Sequence, residues 1–160
     1  MKERYQSKIA VFLVLTRETE NGIEILLQER CNTGYMDGKY DMACSGHVER
    51  GESLSQAVVR ESYEELGIQI DEQDLELVTL LHPYKEDYLN IFFKAYKYIG
   101  TPNVIESNKC DDLRWFNIND LPENIIPSVG KVIECMKNSI IYDDGDFTYL
   151  TFKTKTTNKK

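Results

Sequence analysis

Residues 46–68 read GHVERGESLSQAVVRESYEELGI, and this stretch decides how the rest of the chain is interpreted. Ser53 and Gln56 have the spacing of a capping box, in which the serine hydroxyl accepts from a first-turn N–H and the glutamine reaches back to the N-cap. Gly67 suits the left-handed position that follows a helix. The stretch therefore predicts a helix over residues 53–66.

This helix carries three glutamates on one side. At 100° per residue, Glu61, Glu64 and Glu65 fall within a sector of about 100°. The opposite side, which should face the core, is formed by Val59, Ser62, Tyr63 and Leu66. Neighbouring carboxylates on a helix repel one another. Arg60 can neutralise one of them, and hard divalent cations such as Mg²⁺, which prefer oxygen ligands, fit the remainder.

A solvated acidic face is the ordinary alternative for three glutamates with this spacing. A binding site is favoured here because the glutamates follow a glycine loop, Gly46-x₅-Glu52, at a fixed distance. Glycines in such a loop allow backbone groups to approach a ligand closely. The loop and the helix together predict a site for a metal and an anion.

These residues resemble the Nudix box, G-x₅-E-x₇-R-E-U-x-E-E-x-G-U with U a bulky aliphatic residue. The match runs from Gly46 to Ile68 and departs at Ser62, where an aliphatic is usual. A second departure is Cys44-Ser45, where many family members have Pro-Gly. Segments outside the box also look like Nudix sequences, namely Arg30, the Asn32–Asp41 loop, Trp115-Phe116 and Leu121-Pro122.

The resemblance implies a Nudix-type α/β/α sandwich with a mixed β-sheet, and hydrolysis of a nucleoside diphosphate linked to another group. It implies Mg²⁺ as cofactor, with Mn²⁺ able to substitute. The expected metal ligands are Glu61, Glu64, Glu65 and the Gly46 carbonyl. Arg60 and Glu52 are expected to orient the catalytic groups, and the general base is Glu61 or Glu65. Glu106 either supplies a distal carboxylate to another metal or is a solvated loop charge.

Substrate contacts must come from outside most of the box. His82, Tyr84 and the aromatic strand 88–93 offer faces that could stack on a base, although alternating aromatics are usually core. His47 either contacts a phosphate or caps its loop. By resemblance, the base pocket includes Phe116, Ile126 and Pro127. A nucleophilic thiol at Cys44 is disfavoured because the adjacent box is acidic.

Bulk composition narrows the partners. Lys and Arg total 19 against 27 for Asp and Glu, a net charge of −8 that repels a phosphate backbone and disfavours nucleic acid. No stretch approaches the ~20 apolar residues that a membrane span requires. The four cysteines form no C-x-x-C pair, so a reduced, cytoplasmic protein is expected. We predict one domain over 1–155, a disordered tail at 156–160, and an oligomeric state left open, with a homodimer permitted.

The rest of the chain reads as strands and a second helix. Apolar and β-branched runs predict strands at 9–15, 23–28, 40–43, 75–81, 88–99 and 113–116, with a final edge strand at 147–154. The segment 31–51 is otherwise predicted as loop. Pro127-Ser128 opens a helix whose apolar residues recur at three-and-four spacing.

Four functions remain open at this point. The first is hydrolysis of a nucleoside triphosphate, including a modified one, and the second is hydrolysis of ADP-ribose or another nucleotide sugar. The third is a non-catalytic nucleotide-sensing domain, although such domains often lose box glutamates that this chain keeps. The fourth is an acidic scaffold protein with an incidental carboxylate face.

Overall fold

Strand β1, Lys8–Thr19, organises the sheet, and in the computed structural model it is longer than the predicted 9–15. Its first half pairs in parallel with β6, Tyr88–Ala95, and on the other edge antiparallel with β4, Cys44–His47. Its second half turns at Asn21-Gly22 into β2, Gly22–Arg30, and pairs with it as an antiparallel hairpin. The structure describes residues 1–105 and 107–144, without the side chain of Asp111.

The remaining elements complete a mixed sheet. They are β3 (Tyr40–Met42), α1 (Leu54–Leu66), β5 (Glu76–Leu81), β7 (Cys110–Asn117), α2 (Pro127–Asn138) and β8 (Tyr142–Asp143). The strand order is β3-β2-β1-β6-β5-β8, with β4 paired to β1 and β7 paired to β2. Short 3₁₀ turns lie at Glu72–Asp74 and Tyr84–Glu86.

The two helices cover opposite faces of this sheet. Val11, Leu13 and Leu15 of β1 pack with the buried residues of α1. Val14, between them in sequence, packs with the buried face of α2. Because successive side chains of a strand point to opposite faces, β1 is buried on both sides, and the fold is the α/β/α sandwich that the sequence predicted.

Helix α1 begins and ends where its local signals predict. Ser53 and Gln56 form the capping box, and Gly67 follows the helix with φ 69°. The prediction of the core face was partly wrong, because Tyr63 is exposed and Val59 is only partly buried. The buried residues are Ala57, Val58, Ser62 and Leu66. The helix is therefore rotated toward Val58 relative to the predicted face, with Glu61 and Glu65 beside the sheet and not fully in solvent.

Several strand boundaries differ from the prediction. Strand β4 was expected to be loop, since Ser45 and Gly46 have low strand propensity, and it forms because β1 supplies its backbone partner. Strand β6 ends at Ala95 instead of residue 99, and β7 begins at Cys110 instead of 113. Helix α2 starts at Pro127 as predicted. The predicted strand at 147–154 and tail at 156–160 lie outside the described residues.

Two properties concern the helices and the cysteines. Over the described ranges 1–105 and 107–144, neither helix has the length and apolar character needed to cross a bilayer. All four cysteines fall within those ranges and are buried as thiols.

Candidate functional site

The carboxylate side of α1 lies against strand β4. The Glu61 carboxylate occupies the space over Gly46, and the Glu65 carboxylate accepts a hydrogen bond from the Ser45 N–H at 3.1 Å. Residues one helical turn apart on α1 thus reach consecutive residues of β4. This register places two carboxylates next to one short segment of main chain.

Gly46 is required by packing and not by an unusual backbone angle. A Cβ atom added at Gly46 would overlap the Oε1, Cδ and Cγ atoms of Glu61. Glycine is therefore the only residue that leaves the Glu61 carboxylate where it is. The fixed glycine of the sequence pattern and the first glutamate of the helix are two parts of one contact.

Arg60 holds the glutamates on this side in place. Its Nε and Nη2 donate to the two oxygens of Glu52 at 3.1 and 2.8 Å, and its Nη1 donates to Glu61 at 2.7 Å. Nη2 also donates to the His47 carbonyl at 3.1 Å, and Nη1 reaches Glu64 at 3.2 Å. One guanidinium thus ties the loop before α1 to the carboxylates on it.

Glu64 is placed differently from its two neighbours. Its side chain is 53% exposed, and its contact is with Arg60, not with β4. Among the described residues, no three His, Cys, Asp or Glu side chains lie close enough together to hold a metal by themselves. The structure therefore brings Glu61 and Glu65 together beside Gly46 and leaves Glu64 at the solvent side.

This donor set fits Mg²⁺. Mg²⁺ is usually held by one or two carboxylates, with water and substrate phosphates completing its shell, and not by an all-protein cage. Glu61, Glu65 and the adjacent main chain of β4 supply carboxylate and carbonyl oxygens of the kind that Mg²⁺ takes. A third protein carboxylate is not needed for such a site.

The pKa of Glu52 is lowered, first by the Arg60 hydrogen bonds and second by the Glu49 N–H that donates to it at 2.7 Å. The hydrogen bonds to Glu52 first, and then those to Glu61, raise the pKa of Arg60. A carboxyl whose pKa is lower in the folded state stabilises the fold above its unfolded pKa of about 4.3, and this stabilisation is lost as pH falls through the lowered value.

We therefore expect Glu52→Gln to flatten the acid side of the stability curve. The melting temperature of the wild type should fall more steeply from pH 5 toward pH 3 than that of the variant, because the variant lacks the depressed carboxyl. Thermal melts across this range in EDTA measure the effect. Glu20→Gln, in the exposed β1–β2 turn, is the matched control that removes a carboxylate without touching Arg60. Parallel curves for Glu52→Gln and wild type would contradict the role of this pair.

The two departures from the box pattern contact each other. Cys44 is 1% exposed, and its thiol lies beside the side chains of Glu65 and Ser62, whose hydroxyl donates to the Val58 carbonyl at 2.6 Å. Its pKa is raised well above the usual range, first by burial and then by the charges of Glu65 and Glu61. The thiol is therefore protonated at neutral pH, which is the opposite of what a nucleophilic cysteine requires.

A cavity of about 360 Å³ opens beside Gly46. Its lining includes Ser45, Gly46 and His47 of β4, Ala10 and Phe12 of β1, and the start of α2 from Ile126 to Ser128. A second cavity of about 150 Å³ is lined by Glu65 and Lys109 among others. Arg30 and Ser45 line both cavities. The two cavities therefore adjoin at Ser45 of β4, the strand that Glu61 and Glu65 contact.

The comparisons with known proteins agree with this geometry. The family model of the NUDIX domain matches residues 6–134, most of the chain. The chain belongs to the Nudix hydrolase family. The NAD-capped RNA hydrolase NudC of Salmonella paratyphi B is 30% identical over 132 residues, covering 82% of this chain and 47% of NudC. The chain thus spans about half the length of the curated relatives it matches.

Solved Nudix structures share the fold. A MutT Nudix hydrolase from Burkholderia pseudomallei superposes with a TM-score of 0.70 at 25% identity, over 81% of this chain and 97% of that one. The Nudix domain of Shewanella oneidensis NrtR, solved with ADP ribose, gives a TM-score of 0.65 at 17% identity, over 86% and 90% of the two chains. The second likeness concerns the fold alone.

Within this Nudix domain, the predicted substrate residues divide into two groups. His47, Ile126 and Pro127 line the larger cavity. His82 and Tyr84 do not, although Pro83 between them does, and the His82 ring instead lies 6.1 Å from that of Tyr5. Their roles stay predictions.

Phe116 also stands apart from the larger cavity. Phe116 packs edge to face on Tyr40 at 4.9 Å and is not among the residues that line it. Glu106 lies outside the described residues. The predicted roles of both residues stay predictions.

Sequence reasoning missed several residues that line the larger cavity. Tyr35 and Met36 reach it from the loop between β2 and β3, Asp41 from β3, and Asn90 from β6. Asn90 could have been found only by knowing that β6 pairs in parallel with β1. For the loop residues, the sequence offered one indication of a role at the site: Tyr35 is an aromatic residue in a loop that has glycines at 34 and 38.

Proposed function

We propose that this Nudix domain is a Mg²⁺-dependent hydrolase that cleaves a phosphoanhydride bond in a nucleoside-diphosphate-linked substrate. The observation that carries the proposal is the pair of carboxylates, Glu61 and Glu65, held against Ser45 and Gly46 of β4, the two residues that also line a cavity of about 360 Å³. Nucleotide-sized ligands suit a cavity of this volume. The phosphates would lie toward β4 and the nucleoside in the cavity.

Bound Mg²⁺ would screen the phosphates and acidify a water molecule. Glu61 and Glu65 would hold the ion, with a main-chain carbonyl at Gly46 as a further ligand. Arg60 does not need to touch the substrate, because its donors already bind Glu52, Glu61 and the His47 carbonyl. Its proposed function is to keep Glu61 oriented. Either Glu61 or Glu65 would accept the proton of the attacking water.

The proposed substrate is a nucleoside triphosphate, including a modified one. The net charge of −8 opposes a broad contact with a polyanion, so we propose a nucleotide-sized partner and not a nucleic-acid surface. ADP-ribose and other nucleotide sugars are the second candidates, because the NrtR domain of the same fold was solved with ADP ribose. NAD and NAD-capped RNA are also tested, because the relative NudC is an NAD-capped RNA hydrolase.

A hydrolysis screen with Mg²⁺ across these four substrate classes tests the proposal, with the products separated by chromatography because the cleavage yields pyrophosphate or phosphate monoesters and not free phosphate. We expect turnover of at least one class, lost in EDTA, with products that show which anhydride was cut. Mg²⁺ in excess should also raise the melting temperature, because a ligand that binds only the folded state stabilises it by mass action. Nucleotide binding without turnover would favour the sensing domain, and the absence of both binding and a Mg²⁺ shift would favour the scaffold.

Two further properties belong to this proposal. The four buried thiols suit a reducing compartment, so we propose a cytoplasmic location. For the oligomeric state we propose a homodimer, which sedimentation of the purified chain would distinguish from a monomer.

A further inference from the structure

The loop between β2 and β3 is fastened by one arginine. Arg30 donates from Nε to the Tyr35 carbonyl at 2.9 Å, from Nη1 to Asp41 at 2.7 Å and from Nη2 to the Thr33 hydroxyl at 3.1 Å. Asp41 is 3% exposed, so this ion pair is buried at the base of the loop. All three nitrogens of the guanidinium group are committed to holding the loop.

A second set of contacts closes the loop on itself. Asp37 accepts from the N–H groups of Thr33 and Gly34, both at 3.1 Å, and from the Thr33 hydroxyl. The Gly38 N–H donates to the Arg30 carbonyl at 2.7 Å. The loop is thus a small ordered unit built on its own hydrogen bonds.

This ordered loop presents an aromatic ring to the cavity. Tyr35 lines the cavity and is 52% exposed, and the Arg30 guanidinium lies 5.5 Å from the centre of the tyrosine ring. The pKa of Tyr35 is raised, first by burial and then by the charge of Glu86, which lines the same cavity. Tyr35 therefore stands where the loop borders the cavity, with much of its ring uncovered.

We propose that Tyr35 stacks on the heterocyclic base of the substrate and that Arg30 is the positioning residue that holds it there. The inference rests on the proposed function, since it assumes a nucleoside in this cavity. An aromatic ring held in place loses little conformational freedom when a base stacks on it, which favours binding. Stacking on an aromatic side chain tolerates different bases because each base has a π-face. Tyr35 would therefore set affinity for nucleosides as a class.

The test compares two ligands that differ only in the nucleoside. α,β-Methylene-ADP carries a base and resists hydrolysis, and methylenediphosphonate carries the phosphonates alone. For Tyr35→Ala we expect the Kd of methylene-ADP to rise about tenfold, within the range for base–aromatic stacking, and the Kd of methylenediphosphonate to stay unchanged. Tyr35→Phe should bind both ligands like the wild type, because it keeps the ring.

Tyr96→Ala is the matched control. Tyr96 is 53% exposed and has Lys97 at 5.6 Å from its ring centre, so it resembles Tyr35 in exposure and in its cation contact. It lines neither of the two cavities described above. We expect wild-type affinity for both ligands.

A double-mutant cycle tests the positioning role of Arg30. Arg30→Gln should weaken methylene-ADP binding but not methylenediphosphonate binding, and adding Tyr35→Ala should cause little further loss. Trypsin should cut faster after Lys39 in Arg30→Gln, because the loop has lost the hydrogen bonds to Arg30 that hold it. If Arg30→Gln does not fold, Thr33→Ala takes its place, because it removes one hydrogen-bond partner of Arg30 at an exposed residue. It should weaken methylene-ADP binding by a smaller factor and leave methylenediphosphonate binding unchanged.

The outcomes separate this inference from the proposed function. Unchanged methylene-ADP affinity in Tyr35→Ala would overturn the stacking inference, and equal losses for both ligands would overturn it as well, whatever the hydrolysis assay shows. Binding that depends on Tyr35 in a protein that hydrolyses none of the four substrate classes would support the stacking inference and contradict the hydrolase. Additive losses in the cycle would overturn the role of Arg30.

Discussion

Glu61→Gln and Glu65→Gln are each expected to lower kcat/KM by about 100- to 1,000-fold, because a charge that seats a metal is worth several kcal/mol and each 1.36 kcal/mol is a factor of ten. Both substitutions keep the size of the side chain. In Glu65→Gln the amide oxygen can still accept from the Ser45 N–H, so packing on β4 should survive. Steady-state formation of the nucleoside monophosphate product, on the substrate found by the screen, measures the loss.

Two further variants sharpen this prediction. Glu134→Gln, on the exposed side of α2 and 52% exposed, removes a carboxylate far from β4 and should retain full turnover. Glu64→Gln distinguishes the three helix glutamates, since the contacts of Glu64 are with Arg60 and solvent. If Glu64→Gln lowers kcat/KM as much as Glu61→Gln does, Glu64 is a metal ligand, as the sequence predicted. Wild-type turnover in both Glu61→Gln and Glu65→Gln would refute their assignment.

Gly46→Ala should be nearly as damaging as Glu61→Gln, with a loss of about 100-fold in kcat/KM. The added methyl group would overlap the Glu61 carboxylate and force it off β4. The backbone of Gly46 is not left-handed, and the displaced atoms are the end of a flexible side chain. The free energy of unfolding should therefore change by only about 1 kcal/mol, at the low end of overpacking costs.

The double variant Gly46→Ala with Glu61→Gln tests this explanation. If the methyl group acts through Glu61, the double variant should be no slower than the slower single variant, because the same contact is removed twice. Chemical unfolding of each protein measures the stability change. Full activity in Gly46→Ala would show that the close contact is not needed for turnover.

The helix and its caps were predictable because their signals are local. Ser53, Gln56 and Gly67 fix the ends of α1 through hydrogen bonds and backbone preferences that operate within a few residues. The apolar run of β1 likewise predicted a strand. The grouping of Glu61 with Gly46 was also predictable, because a fixed spacing between loop and helix leaves few ways to pack them.

What escaped prediction depends on contacts between distant residues. Strand β4 exists through its pairing with Ala10–Leu13, and nothing in its own sequence favours a strand. Tyr63 was placed in the core by helical periodicity, but the sheet contacts α1 through Val58 and Ser62 instead. Tyr35 entered the site because Arg30 and Asp41, eleven residues apart, form the ion pair under its loop.

The contact between Cys44 and Ser62 makes two positions in different elements a single unit. A bulky aliphatic residue at 62, as the family pattern prefers, would fill the space that the Cys44 sulfur and the Ser62 hydroxyl share, and it would leave the thiol with Glu65 alone. A chimera that imports the helix of a relative into this chain should therefore import that relative's residue at 44 as well. Among relatives, the residues at 44 and 62 are expected to change together, although the two positions are eighteen apart in the chain.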